Sequence, residues 1–167
     1  MSLVSSLAAA VLSVAALLTP APLAAEAPAP ARGWTWPLAP QPSVVRGFDP
    51  PDRPWLAGHR GVDLSARVGQ PVRVPTGGEV TYSGRLAGRG VVVVGHEGGL
   101  RSTFEPVTAG PPVGTAVARG DPVGTVEPVA GHCPPATCLH WGVRRGDTYL
   151  DPLALIGARP VVLLPLR

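Results

Sequence analysis

The chain has no lysine and no asparagine, only two cysteines (Cys133 and Cys138) and, past its N-terminal segment, no stretch with a helical period. The last absence excludes a helical domain. All 14 basic residues are arginine. Missing lysine together with missing asparagine points to a GC-rich genome, not to a special role for guanidinium. The arginines are scattered, and no basic stripe interleaved with aromatics is present, so the sequence gives no sign of nucleic-acid binding. The formal charge of +3 is mild, and fits residence near an anionic polymer such as a bacterial wall.

What the chain does have is 21 Gly and 22 Pro in 167 residues. That length suits one domain with a real core. The Gly and Pro fall between short Val-rich runs, which is the pattern of turns joining short strands. Strands are expected at 44–48, 68–74, 79–82, 91–94, 100–104, 113–117, 122–126 and 139–143, with 91–94 central. Trp34 and Trp36 are expected on one face of an opening strand, as packing residues. A turn is expected at 75–78 and a hairpin connection at 97–99. The apolar residues 161–164 read as packing. The fold class expected is all-β and antiparallel, a sheet or sandwich.

Residues 3–18 are almost wholly apolar, and Pro20, Pro22 and small alanines follow. This is the outline of a secretory signal peptide over 1–27, although no Arg or Lys precedes the run. The alternative is an uncleaved membrane anchor, for which the run is short, since a span takes ~20 apolar residues. A Pro/Ala-rich linker at 28–33 then leads to one β domain over 34–167. The location implied is secreted or cell-wall associated, with membrane contact only if the segment stays uncleaved.

The chemistry concentrates in two stretches. Gly58-His59-Arg60-Gly61-Val62-Asp63-Leu64 holds a His and an Asp four positions apart, and Cys138-Leu139-His140-Trp141-Gly142 holds a second His. Two imidazoles and one carboxylate suit a catalytic zinc, which takes three protein ligands and keeps a position open. On a regular strand His59 and Asp63 would stand ~13 Å apart. Both can reach one ion only if Gly61 supplies a kink or bulge. Each histidine alone reads as a hydrogen-bonded structural imidazole; the joint pattern is what points to a metal. Cys133 and Cys138, an even pair in an exported chain, read as a disulfide. The alternative is Cys138 as an extra thiolate ligand, because it shares a strand face with His140. His132 beside them reads as a loop residue.

These motifs, with Trp36-Pro37, Val68-Gly69-Gln70-Pro71-Val72, Arg119-Gly120-Asp121-Pro122-Val123-Gly124 and Asp151-Pro152, resemble the lysostaphin/LytM-type zinc metalloendopeptidases of peptidoglycan. The resemblance covers 34–155 and implies the LytM (duplicated hybrid motif) fold. It also implies zinc on His59, Asp63 and His140, with hydrolysis of peptide bonds in peptidoglycan. Active members of that family carry two further, assisting histidines. Their positions here are Pro106 and Cys138. Loss of general acid–base help costs ~10²–10⁴-fold in rate, so slow or absent cleavage is expected. Glu105 and His132 are the candidate substitutes, although Glu105 should point away from residue 106 on a strand. The alternative function is a catalytically impaired wall-associated module that binds peptidoglycan or activates another cell-wall hydrolase.

Overall fold

The computed structural model describes residues 33–157, apart from 109 and 130. The expected signal peptide, residues 28–32 of the linker and the apolar stretch 161–164 lie outside the described residues. Among the described residues the chain forms ten strands, one 3-10 turn at Glu97–Gly99 and one four-residue α-helix, and every strand pairing is antiparallel. The all-β expectation holds.

The main sheet runs β1 (Val44–Arg46), β2 (Val62–Ser65), β9 (Cys138–Arg145), β6 (Leu100–Glu105), β5 (Arg89–Gly95), β4 (Gly78–Leu86) and β7 (Ala116–Val117). β10 (Thr148–Leu150) continues the β2 edge of β9 by a tight return through Gly146. β3 (Pro71–Arg73) and β8 (Pro122–Thr125) form a second, two-stranded sheet. Asp151 caps the short helix α1 (Pro152–Leu155), its Oδ1 accepting from the Leu153 amide at 2.9 Å.

Alternation along the strands sorts two faces. Val62 and Leu64 of β2, Leu139, Trp141 and Val143 of β9, Leu100 and Phe104 of β6, and Val92 and Val94 of β5 all enter one core. Val72 of β3 and Val123 of β8 join the same core. The alternate residues of the same strands (Asp63, His140, Gly142, Arg144, Thr103 and Glu105) therefore lie on the opposite face. One polar group sits on the core side. The Ser102 hydroxyl is fully buried, lies 2.9 Å from His96 Nε2, and accepts from Trp141 Nε1 at 3.5 Å. Burial lowers the pKa of His96, against the raising effect of its contact with the Gly77 carbonyl.

Several expected boundaries move. The strand expected at 68–74 shrinks to Pro71–Arg73 because Gly69 turns the chain with φ 77°. The one at 113–117 shrinks to two residues after Gly114, with φ 88°. The one at 79–82 lengthens to Leu86, because β4 pairs with β5 as far as the turn at Ala87-Gly88. The opening strand at the two tryptophans does not form. Trp34 instead stacks on Trp141 with ring centres 6.3 Å apart, and Thr35 is tied by its amide to the Pro75 carbonyl at 2.9 Å.

Phe104 is fully buried at the middle of the sheet. Replacing it with alanine should lower unfolding free energy by ~3–5 kcal/mol, measured by denaturant titration. A loss below ~1 kcal/mol would show that the core refills the space.

Candidate functional site

The site is built on register. Asp63 of β2 stands directly opposite His140 of β9, and His140 stands directly opposite Glu105 of β6. Three chemically active side chains thus form one row across three strands, on the face away from the core. His59 precedes β2 and enters from the side. Its backbone bridges Asp49, and the chain bends at Arg60 and Gly61 before β2 begins. That bend answers the spacing problem, since His59 Nε2 comes within 3.1 Å of Asp63 Oδ1. Gly61 is required by space. A Cβ there would lie 2.5 Å from the Trp141 carbonyl and 2.8 Å from the His140 ring.

Ring orientation is fixed behind the site. His59 Nδ1 donates to the Gly47 carbonyl at 2.6 Å, so in the neutral ring the bare Nε2 faces inward. His140 presents Nδ1, 2.8 Å from Asp63 Oδ1 and 3.2 Å from His59 Nε2. His59 is 2% exposed, Asp63 0% and His140 9%. Asp63 Oδ2 is buried and has no hydrogen-bond partner among the described residues. A buried carboxylate with one idle oxygen, faced by two inward ring nitrogens, is a donor set that fits a divalent cation. His59, Asp63, His132 and His140 offer ligand atoms within 4.8 Å of one another.

His132 is the surprise of the loop between β8 and β9. Its Nδ1 lies 3.1 Å from Asp63 Oδ1, and its Nε2 lies 3.5 Å from Glu105 Oε1. The loop is closed by the Cys133–Cys138 disulfide, so neither cysteine is a free thiolate. Glu105 does not point away from the site, as the strand argument had implied. Its pairing opposite His140 puts it on the same face as that ring. Arg89 anchors the carboxylate: Nη2 donates to Oε1 at 3.1 Å, and Nε lies 3.0 Å from Oε2, off the hydrogen-bonding line. Arg89 had no signal in the sequence, because only register brings it to Glu105.

Burial alone would push the Asp63 carboxyl up, but hydrogen bonds from His132 and His140 outweigh it and hold the group below the usual carboxylate range. Burial likewise opposes ionisation of Glu105, and contacts with His132 and Arg89 bring it down to about 2. The hydrogen bond to Asp63, then that to Glu105, raises His132 to about 9. Without a metal, the site is therefore a buried carboxylate held against a charged imidazole.

Glu105, His140, His59 and His132 border an open groove of about 430 Å³, lined also by Arg60, Arg89, Thr103, Gly142, Arg144 and Tyr149. A family model described as Peptidase family M23 matches residues 57–152. This chain belongs to that family. The match spans both halves of the site, from His59 to His140. An uncharacterised protein of Mycobacterium tuberculosis is 47% identical over 137 residues, covering 78% of this chain and 54% of its own. The chain thus spans about half the length of the curated relatives it matches. Among solved structures, Helicobacter pylori Csd3 superimposes with a TM-score of 0.59 at 25% identity, over 74% of this chain and 34% of that one. The catalytic domain of the antimicrobial peptidase lysostaphin from Staphylococcus simulans matches with a TM-score of 0.58 at 20% identity, over 70% of this chain and 92% of that one. The M23 assignment bears out the lysostaphin/LytM resemblance and its β-rich fold.

Two outcomes follow from this geometry. Gly61→Ala must shift β2 or β9, because the blocking atom is backbone. Zinc affinity should fall by at least tenfold, of the order that loss of ligand positioning costs, and an unchanged zinc titration would show that the strands absorb the Cβ. The second concerns pH in chelator-treated protein. The folded pKa of His132 lies above its ordinary 6.5. Its stabilisation is therefore full below pH 6.5 and lost as pH rises through about 9. The melting difference between wild type and His132→Ala should shrink across that window, and a difference constant to pH 10 would contradict the ion pair.

Proposed function

We propose that this chain is an exported zinc metallopeptidase that hydrolyses peptide bonds in peptidoglycan, with His59, Asp63 and His140 as the zinc ligands. The observation that carries the reading is the placement of Glu105 and His132. They stand 3.5 Å apart at the mouth of the buried His/Asp cluster, beside an open groove. Both positions at which the family pattern carries assisting histidines are here unable to handle a proton, being Pro106 and the disulfide-bonded Cys138. Glu105 and His132 supply carboxylate and imidazole from other chain positions.

Zinc at this site would supply Lewis acidity, polarising a carbonyl and acidifying water. The chain's own groups do the rest. The Gly47 carbonyl holds the His59 ring, and the β2–β9 register holds Asp63 against His140. Glu105, fixed by Arg89, accepts a proton at a carboxylate oxygen. His132 Nε2 passes a proton towards the leaving amine. Gly142 leaves the groove floor low, so an extended peptide can lie over β9. Export is supported by the apolar N-terminal run and by the disulfide, which persists in oxidising surroundings. A second reading, a wall-bound module that binds peptidoglycan or activates another hydrolase, draws on the lost family histidines.

Purified protein should carry about one equivalent of zinc, and His140→Ala should lose it. Glu105→Gln should retain zinc but cut peptidoglycan ~10²–10⁴-fold more slowly, as should His132→Ala. If His132→Ala also sheds zinc, His132 is a fourth ligand and not a proton carrier. Full zinc occupancy with no cleavage by the wild type would remove the hydrolase reading in favour of the binding module.

A further inference from the structure

The groove runs along β9 from His140 past Gly142 to Arg144, and its far end is arginine-rich. Arg60 and Arg144 line it there, and Arg101 of β6 stands directly opposite Arg144. Tyr149 is the cross-strand neighbour of Arg144 on the other side, and the Arg60 guanidinium lies 5.8 Å from its ring centre. Arg60 is held in place by the carbonyls of Pro54 and Leu56, at 2.6 and 3.1 Å. These bonds orient its charge; Asp52 and Asp147 border an adjoining pocket that Arg60 also lines, but neither lies within ion-pair distance of it. Of the arginines lining the groove, Arg89 alone has a carboxylate within ion-pair distance among the described residues, and that is Glu105. Like charges directly opposite on neighbouring strands cost stability. Arg101 and Arg144 keep that arrangement, and among the described residues neither has a carboxylate within ion-pair distance.

We propose that this end of the groove is a subsite for a carboxylate borne by the substrate peptide, gripped by Arg144 and Arg60 with Arg101 beside them. The proposal rests on the peptidase reading above and adds a substrate class to it. Arginine suits the task, because its planar fork binds a carboxylate through two parallel hydrogen bonds. Arg144 is four residues along β9 from His140, roughly 13 Å. That is the reach of on the order of three to four residues of extended peptide. The subsite would select peptides with a free carboxylate at that distance from the bond cut, and disfavour the same peptides carrying an amide there. Gly142 and Thr103 form the low floor between the two ends.

The test uses the full chain stripped of metal, so that a carboxylate cannot owe its binding to zinc. The probes are a synthetic peptidoglycan stem peptide with a free C-terminal carboxylate and the same peptide as its C-terminal amide. Binding by calorimetry at low salt should favour the acid by roughly tenfold, which is 1.4 kcal/mol, and the preference should shrink with added salt. Arg144→Gln should abolish the preference and Arg101→Gln should weaken it. Arg67→Gln, on an exposed turn remote from the groove, should leave it intact. Each variant is checked for unchanged melting. Equal binding of acid and amide, a preference that survives Arg144→Gln, or no binding of either peptide at millimolar concentration overturns the subsite. Peptidoglycan cleavage by the zinc-loaded wild type is scored separately. Its absence overturns the hydrolase reading, while an acid preference lost in Arg144→Gln would still establish the carboxylate site.

Discussion

Asp63 is a fully buried carboxylate, and the site is arranged around its neutralisation. A buried charge is costly unless paired. Here three imidazoles converge on one of its oxygens, at 2.8 to 3.1 Å, while the other oxygen has no partner among the described residues. Each of the three comes from a different piece of chain: the bend before β2, the β8–β9 loop, and β9 itself. Removing any one leaves the charge less compensated, so the conformations of all three segments are linked through one carboxylate.

The sheet makes that convergence cheap in geometry. Antiparallel register places Asp63, His140 and Glu105 in a row, where neighbouring strands lie about 4.8 Å apart. The inner face of the same strands is filled by Val62, Leu64, Leu139, Trp141 and Phe104. A slip of one residue would carry the site into the core and the core into water. Packing of the apolar face therefore fixes the chemistry of the polar face, and just before β2 the chain passes so close to β9 that Gly61 has no room for a Cβ.

Glu105 and His132 show how side chains from distant chain positions meet at one rim of the groove. The family's assisting positions fall on Pro106 and Cys138. Glu105, one residue before the first, and His132, six residues before the second, stand 3.5 Å apart beside the groove. The disulfide that occupies Cys138 also closes the loop beginning next to His132. The bond thus helps hold His132 near Asp63, by limiting where the loop can go.

The sequence alone determined the fold class, because Gly and Pro punctuating Val-rich runs allow little else. It also determined the candidate trio His59, Asp63 and His140, whose residue types carry their chemistry wherever they sit. It pointed to the need for a bend at Gly61, since strand spacing forbids the contact otherwise. It did not determine the strand ends, which Gly69, Gly114 and the Ala87-Gly88 turn decide through backbone φ values. Nor did it place Trp34 and Trp36, which pack from irregular chain. The direction of Glu105 differs from the expectation for a specific reason: the expectation counts from residue 106, whereas the pairing with His140 sets it. Which face Glu105 takes, that His132 reaches Asp63 across 69 positions, and that Arg89 meets Glu105 are decided by tertiary structure alone. Cross-strand register and loop closure are relations between distant segments, and local sequence does not encode the distance between them.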